Sequence, residues 1–223
     1  MKTRKIQGPI RDKQKTMQKL LQAVGAILKS EGHKGLKVSK IADRAKVDKK
    51  LIYNYFGSLN GLIDCYLKEH DFWKRTDHVL KANPITDVTP GLMSGIFKNQ
   101  FDFLERSNEM QNIILWELSE YNRQLSELVD ERERFGEGIF QLSDKYFAGT
   151  PVNFRAVNAL LVAAVYYIVL HKRYNKNTFC SIDVTTHEGK DQILNAIDQI
   201  INWCYTEAAK SKKATGKKIN PAS

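Results

Sequence analysis

Between Lys49 and Tyr55 stand two lysines, two tyrosines and an asparagine, with Leu51 among them. On a helix, Lys50 and Asn54 share one face, and so do Lys49 and Tyr53, because residues four apart lie one above the other. These side chains suit the edges of DNA base pairs. Lysine can reach guanine O6 and N7 or hold a phosphate, asparagine can pair with adenine N6 and N7, and Leu51 can touch a thymine methyl. Just upstream, Lys37, Ser39 and Lys40 open a second short helical pattern. A helix N-terminus offers free N–H groups to phosphate oxygens, so these three are placed to meet the other phosphate strand. A lysine-rich short helix is also compatible with a plain solvated face, and tyrosines at i, i+2 are often half-buried. The charge distribution favours the first reading. Residues 1–60 hold 15 lysines and arginines against 4 acids, and residues 61–210 hold 16 against 21. A net charge of +10 over 223 residues is therefore concentrated at the ends, as a localised phosphate-binding surface requires.

Several elements must position these residues. After a loose basic arm, one helix is expected from about Arg11 to Glu31, with Met17, Leu20, Leu21, Val24, Ile27 and Leu28 on one apolar face. Gly32 suits its C-terminal cap. A second helix spans roughly Ser39–Ala45, with Ile41, Ala42 and Ala45 inward. The turn is Lys46-Val47, with Val47 filling the space between the helices. Asp48 is a good N-cap for a third helix, Lys49 to about Phe56, on which Ile52 and Phe56 face the core. Two short helices joined by a tight turn, the second carrying the base-reading face, make a helix-turn-helix. A connector helix follows, from about Asn60 to Leu80, with Trp73 among its packing residues.

Ile41-Ala42, Ala45, Val47, Lys49 and Leu51-Ile52-Tyr53-Asn54-Tyr55-Phe56, with Glu31-Gly32 before them and Ser58 and Leu62-Ile63 after, resemble the N-terminal domain of TetR-type transcriptional regulators. The match covers roughly residues 11–65. The resemblance implies an all-α homodimer that represses transcription from a palindromic operator until a small molecule binds its C-terminal domain. It also implies that Tyr53 and Tyr55 bond backbone phosphates, which sets register rather than sequence. Three positions depart from the family pattern. Lys46 stands where glycine is usual, Lys37 where Ser or Thr caps the second helix, and Leu59 where lysine often follows Ser58.

Beyond Pro90, helical patterns run over Gly91–Glu105, Glu109–Glu120 and Arg123–Phe147, the last interrupted by Gly136 and Gly138. Thr150-Pro151 reads as an N-cap followed by proline at N1, opening an apolar helix to about Tyr174. Thr185 and Glu188 fit a capping box before a last helix of about 186–210. The fold class expected is all-α, with about nine helices. Residues 1–58 make a three-helix helix-turn-helix domain with its basic arm, residues 59–210 a larger ligand-binding and dimerisation domain, and residues 211–223 a disordered basic tail. The two late helices, about 151–174 and 186–210, are the dimer candidates. Ala159–Leu170 is apolar on more than one side, and its 12-residue run is short for a bilayer. An effector pocket is sought among side chains that mix apolar walls with polar handles: Phe97, Phe101, Trp116, Glu117, Tyr121, Tyr166, Tyr167 and His171. The Glu117 carboxylate, if buried, needs a partner, either Arg123 or a cationic ligand.

Catalysis finds little support, since no P-loop, GxSxG, HExxH or CxxC motif occurs. No catalytic residue, metal site or cofactor is assigned. Cys65, Cys180 and Cys204 are widely spaced and read as reduced, mostly buried thiols of a cytoplasmic protein. An architectural or adaptor DNA-binding protein without an effector is the alternative function.

Overall fold

The computed structural model describes residues 9–70 and 87–218. The basic arm through residue 8, the continuation of the connector toward Leu80 with Trp73, and residues 219–223 lie outside the described residues. Nine α-helices run through the described residues: α1 (Pro9–Glu31), α2 (Val38–Ala45), α3 (Lys50–Phe56), α4 (Leu59–His70), α5 (Pro90–Arg106), α6 (Asn108–Ser119), α7 (Arg123–Phe147), α8 (Phe154–Tyr174) and α9 (His187–Lys218). A short 3-10 turn, His33–Gly35, links α1 to α2. There is no β-strand among them, only an isolated bridge between Phe179 and Ile182. The chain is all-α.

Packing gathers the helices into two compact units. The first holds residues 9–70 and 108–132, and the second residues 87–107 and 133–218. The linear reading divides the chain after residue 58, whereas packing groups α4, α6 and the start of α7 with the three N-terminal helices. Helix α1 is the axis of the first unit and packs on α2, α4 and α6. Leu20, Val24, Ile27 and Leu28 of α1, Ile41 of α2, Ile52 of α3 and Leu62 of α4 are completely buried in its core, the pattern that their helical spacing demands.

Two glycines set distances here. A side chain at Gly25 would stand 2.2 Å from the Tyr66 hydroxyl, so α4 approaches α1 closely. A side chain at Gly61 would stand 2.1 Å from the Phe56 carbonyl, so α4 begins tight against the end of α3. Ser58 caps α4, its hydroxyl accepting the Gly61 N–H at 2.9 Å. The turn between α2 and α3 is left-handed at Lys46, with φ 55° and ψ 49°. A β-carbon there clashes with the backbone, a cost glycine avoids. Lys37 precedes α2 without a side-chain cap.

In the second unit, α5 packs on α8 and α9. Lys98 pairs with Asp198 at 2.5 Å, Lys172 with Glu105 at 2.5 Å, and Lys190 with both Asp102 at 2.7 Å and Glu105 at 2.6 Å. Phe147 and Phe154 stack at 4.2 Å, and Tyr205 meets both edge-on.

Several local expectations are corrected. Helix α8 starts at Phe154, not Pro151. Its cap is Asn153, which accepts the Ala156 N–H at 3.0 Å, while Thr150 turns its hydroxyl back to the Phe147 carbonyl. The residue capping α9 is Thr186, which accepts the Gly189 N–H at 3.0 Å, because Thr185 is engaged by the Asp183 carboxylate instead. The segment 211–218, expected as disordered tail, continues α9. Lys212, Lys213 and Ala214 favour helix, and Lys212 lies 4.2 Å over the Tyr146 ring. Cys180 is exposed rather than buried. It sits with Ser181 at the tip of a tight turn where both residues have positive φ. By length and composition α8 is apolar enough to cross a membrane. It is longer than its 12-residue apolar run, and Leu161, Val165, Ile168 and Val169 are buried within the protein.

Lys46→Gly should raise stability by about 1 kcal/mol, read as a higher midpoint in urea with an unchanged slope. Burial would raise the Glu105 carboxyl, but hydrogen bonds and charge from Lys172 and Lys190 outweigh it and hold it below the usual carboxylate range. A depressed folded value stabilises the fold above the unfolded carboxylate pKa of roughly 4.3, and the contribution is lost as pH falls through the folded value. Glu105→Gln should therefore lose less stability than the parent protein between about pH 5 and pH 3, measured by denaturant titration at stepped pH.

Candidate nucleic-acid interface

Helix α3 is pinned from beneath by Ile52, which has no exposed surface. Its start is fixed by Asp48, whose carboxylate accepts the Lys50 N–H at 2.8 Å, and its end by Gly57, at φ 73°. With the buried side occupied, Lys49, Lys50, Tyr53 and Asn54 are exposed, and Leu51 and Tyr55 are half-buried. Tyr53 leaves 52% of its surface exposed, unusual for an aromatic side chain. Lys13 of α1 lies 5.4 Å from the Tyr55 ring centroid, bringing one more cation to this face. At the start of α2, Lys37, Ser39 and Lys40 are exposed. Lys40 is not a free cation, for it bonds the Glu31 carboxylate at the end of α1. The sequence pattern placed neither Lys13 nor Glu31 on this surface. Both come to this surface by helix packing rather than by spacing.

The geometry suits duplex DNA. A short helix presents two lysines and an asparagine outward, and the N-terminus of a second helix carries two more lysines and a serine. Residues 20–64 match the family model for bacterial regulatory proteins, tetR family. Over these residues the chain is similar to a TetR-type helix-turn-helix. The TetR-type match is accompanied by 27% identity over 124 residues to the HTH-type transcriptional repressor SCO4008 of Streptomyces coelicolor, covering 56% of this chain. The chain spans 59% of the length of that curated relative. Two solved structures share the fold. The fatty acid degradation regulator FadR of Bacillus halodurans superposes with a TM-score of 0.60 at 18% identity, covering 88% of this chain and 96% of its own. FadR of Bacillus subtilis in complex with stearoyl-CoA superposes with a TM-score of 0.58 at 15% identity, covering 82% and 96%.

The eight residues read as effector contacts divide between the two compact units. Trp116, Glu117 and Tyr121 belong to the first compact unit, and Phe97, Phe101, Tyr166, Tyr167 and His171 to the second. Glu117 has its partner, but the partner is Arg132 at 2.7 Å. Arg123, the expected partner, pairs with Glu127 one turn along its own helix. Trp116 is buried, stacks on His33 and donates its indole N–H to Glu120, while Tyr121 is 87% exposed. In the second unit, Phe97 and Phe101 are buried, and Tyr166 is half-buried. Tyr167 and His171 gather around Phe179, with ring centroids 5.0 and 5.3 Å away. His171 also accepts from the Asn175 amide at 2.9 Å. No group of His, Cys, Asp or Glu suited to a metal ion occurs among the described residues.

If this face docks on DNA, Lys50→Ala should weaken operator binding about tenfold, and Tyr53→Phe should weaken it across all sequences alike. Gel-shift titrations on a site selected from random DNA give the measurement, and unchanged affinity in both variants would exclude groove docking. Glu31→Ala should release Lys40 to phosphate and steepen the salt dependence of binding.

Proposed function

We propose that this protein is a sequence-specific transcriptional regulator. It acts in the cytoplasm as a homodimeric repressor that leaves a palindromic operator when a small molecule binds its C-terminal helices. The observation that carries the reading is the TetR-type helix-turn-helix, whose α3 leaves Lys49, Lys50, Tyr53 and Asn54 open to a major groove. Leu51 and Tyr55 complete that contact, and Lys37, Ser39 and Lys40 hold the neighbouring strand. In this reading residues 1–58 bind DNA, and residues 59–210 bind the effector and the second subunit.

Exposed apolar surface supports the dimer. On α8, Leu160 is 72% exposed and Tyr167 52%, and on α9, Trp203 is 61% exposed. Ala159 and Ala163 lie beside Leu160 and are also exposed, which permits close helix approach. Large apolar side chains gathered on two helices suit a self-complementary interface better than water. Two-fold pairing places two recognition helices one DNA turn apart, which doubles the contacts and matches a palindrome.

For the effector, Phe97, Phe101, Tyr166, Tyr167 and His171 line α5 and α8, and Trp116, Glu117 and Tyr121 belong to α6 and its end. Those on α5 and α8 are mainly apolar or aromatic, which favours a ligand with a long hydrophobic body. The related fold that carries stearoyl-CoA makes that compound the first probe.

Leu160→Glu with Trp203→Glu should yield a species of one-chain mass in analytical ultracentrifugation. The same double variant should lose more than tenfold in operator affinity, because one subunit holds only a half-site. Stearoyl-CoA should release the wild-type protein from its selected operator in a gel-shift titration, and retention at saturating ligand would exclude this effector class.

A further inference from the structure

Among the described residues, buried polar side chains have partners, as three of them illustrate, and one side chain is a conspicuous exception. Asn112 donates to the Leu28 carbonyl, Asn158 to the Phe154 carbonyl, and Ser143 to the Phe140 carbonyl. Gln100 is 1% exposed, yet both its amide nitrogen and its amide oxygen lack a hydrogen-bond partner. The remaining unpartnered buried side-chain atom among the described residues is one oxygen of Asp198, whose other oxygen already holds Lys98. Gln100 thus buries an amide with its donors and its acceptor both unspent, an arrangement that folded proteins avoid.

Its position on α5 defines what it faces. At 100° per residue, Gln100 shares a face with Met93, Phe97 and Leu104, all buried. The charged residues Lys98, Asp102 and Glu105 occupy the opposite side, where they pair with α8 and α9. The amide therefore lies in a seam of buried apolar side chains on α5, with no charged residue beside it on its own face of that helix. Leu or Met would fill that seam without the desolvation cost. A charged ligand group has no counter-ion on this face, whereas a neutral group that donates and accepts at once matches an amide on both sides.

We propose that Gln100 is the polar handle of an effector subsite. The subsite takes the uncharged, carboxamide-bearing part of a ligand with an apolar body, the body lying along Met93, Phe97 and Leu104. This deepens the effector-binding reading above and rests on it.

The test uses the full-length protein labelled with nitrogen-15, and octanamide as the probe. Octanamide should shift the Gln100 side-chain amide resonances and raise the melting temperature. The hydrocarbon 1-octene, of the same chain length, should bind more weakly. Gln100→Met, of similar volume, and Gln100→Leu should both melt above the wild type when free, and should lose roughly tenfold in octanamide affinity by calorimetry. The proposal is overturned if octanamide does not bind the wild type, if 1-octene binds as tightly, or if the variants bind octanamide unchanged. Operator binding by the same preparations is scored separately. Loss of DNA recognition in the wild type counts against the regulator reading, while a failed amide contact in a protein that still binds its operator counts against this subsite alone.

Discussion

The hydroxyl of Tyr66 occupies the space where any side chain at position 25 would stand. That contact sets how closely α4 lies on α1. The same hydroxyl bonds the Glu109 carboxylate, so a single phenol ties α1, α4 and α6 together. Nearby, the Asn112 amide holds the Leu28 carbonyl in the last turns of α1, and Trp116 stacks on His33 just beyond them. The recognition helix depends on this arrangement at one remove. Helix α3 packs on α4, and the start of α4 presses against the end of α3 at Gly61. Moving α4 therefore re-aims α3.

This construction gives the helix-turn-helix a wider base than its own three helices. A motif of two short helices buries little apolar area and cannot hold a reading face to the fraction of an ångström that base contacts need. Here the long α1 supplies the core, and α4 and α6 buttress it. The strain at Lys46 and the missing cap at Lys37 are tolerated because tertiary packing, rather than local preference, carries these helices. Lys46 and Lys37 are exposed, so a basic charge on this face accompanies each departure from local preference.

The second unit follows a different logic. Its helix α5 is apolar on one side and lined with ion pairs on another, so its rotation is set by both packing and charge. The pairs of Lys98, Lys172 and Lys190 with acids are partly exposed, and each contributes modestly to stability. They fix orientation more than they stabilise. Opposite them, the amide of Gln100 is buried on the face of α5 that also carries Met93, Phe97 and Leu104.

The sequence alone determined the all-α class, the helix-turn-helix and the side chains left exposed on its second helix. Helical periodicity and the Leu51–Phe56 pattern are local, and a local pattern suffices to sort buried Ile41 and Ile52 from exposed Lys50 and Asn54. Helix starts were legible only to within a turn. Asn153 displaced Thr150 and Thr186 displaced Thr185, because capping depends on which neighbour, Phe147 or Asp183, claims the competing hydroxyl. Tertiary structure alone decided what meets across distance in the chain: Glu31 with Lys40, Arg132 rather than Arg123 with Glu117, Tyr66 over Gly25, and Gln100 among apolar neighbours with nothing to bond. Spacing along a helix fixes which face a residue occupies, but the groups that arrive on that face come from elsewhere in the fold.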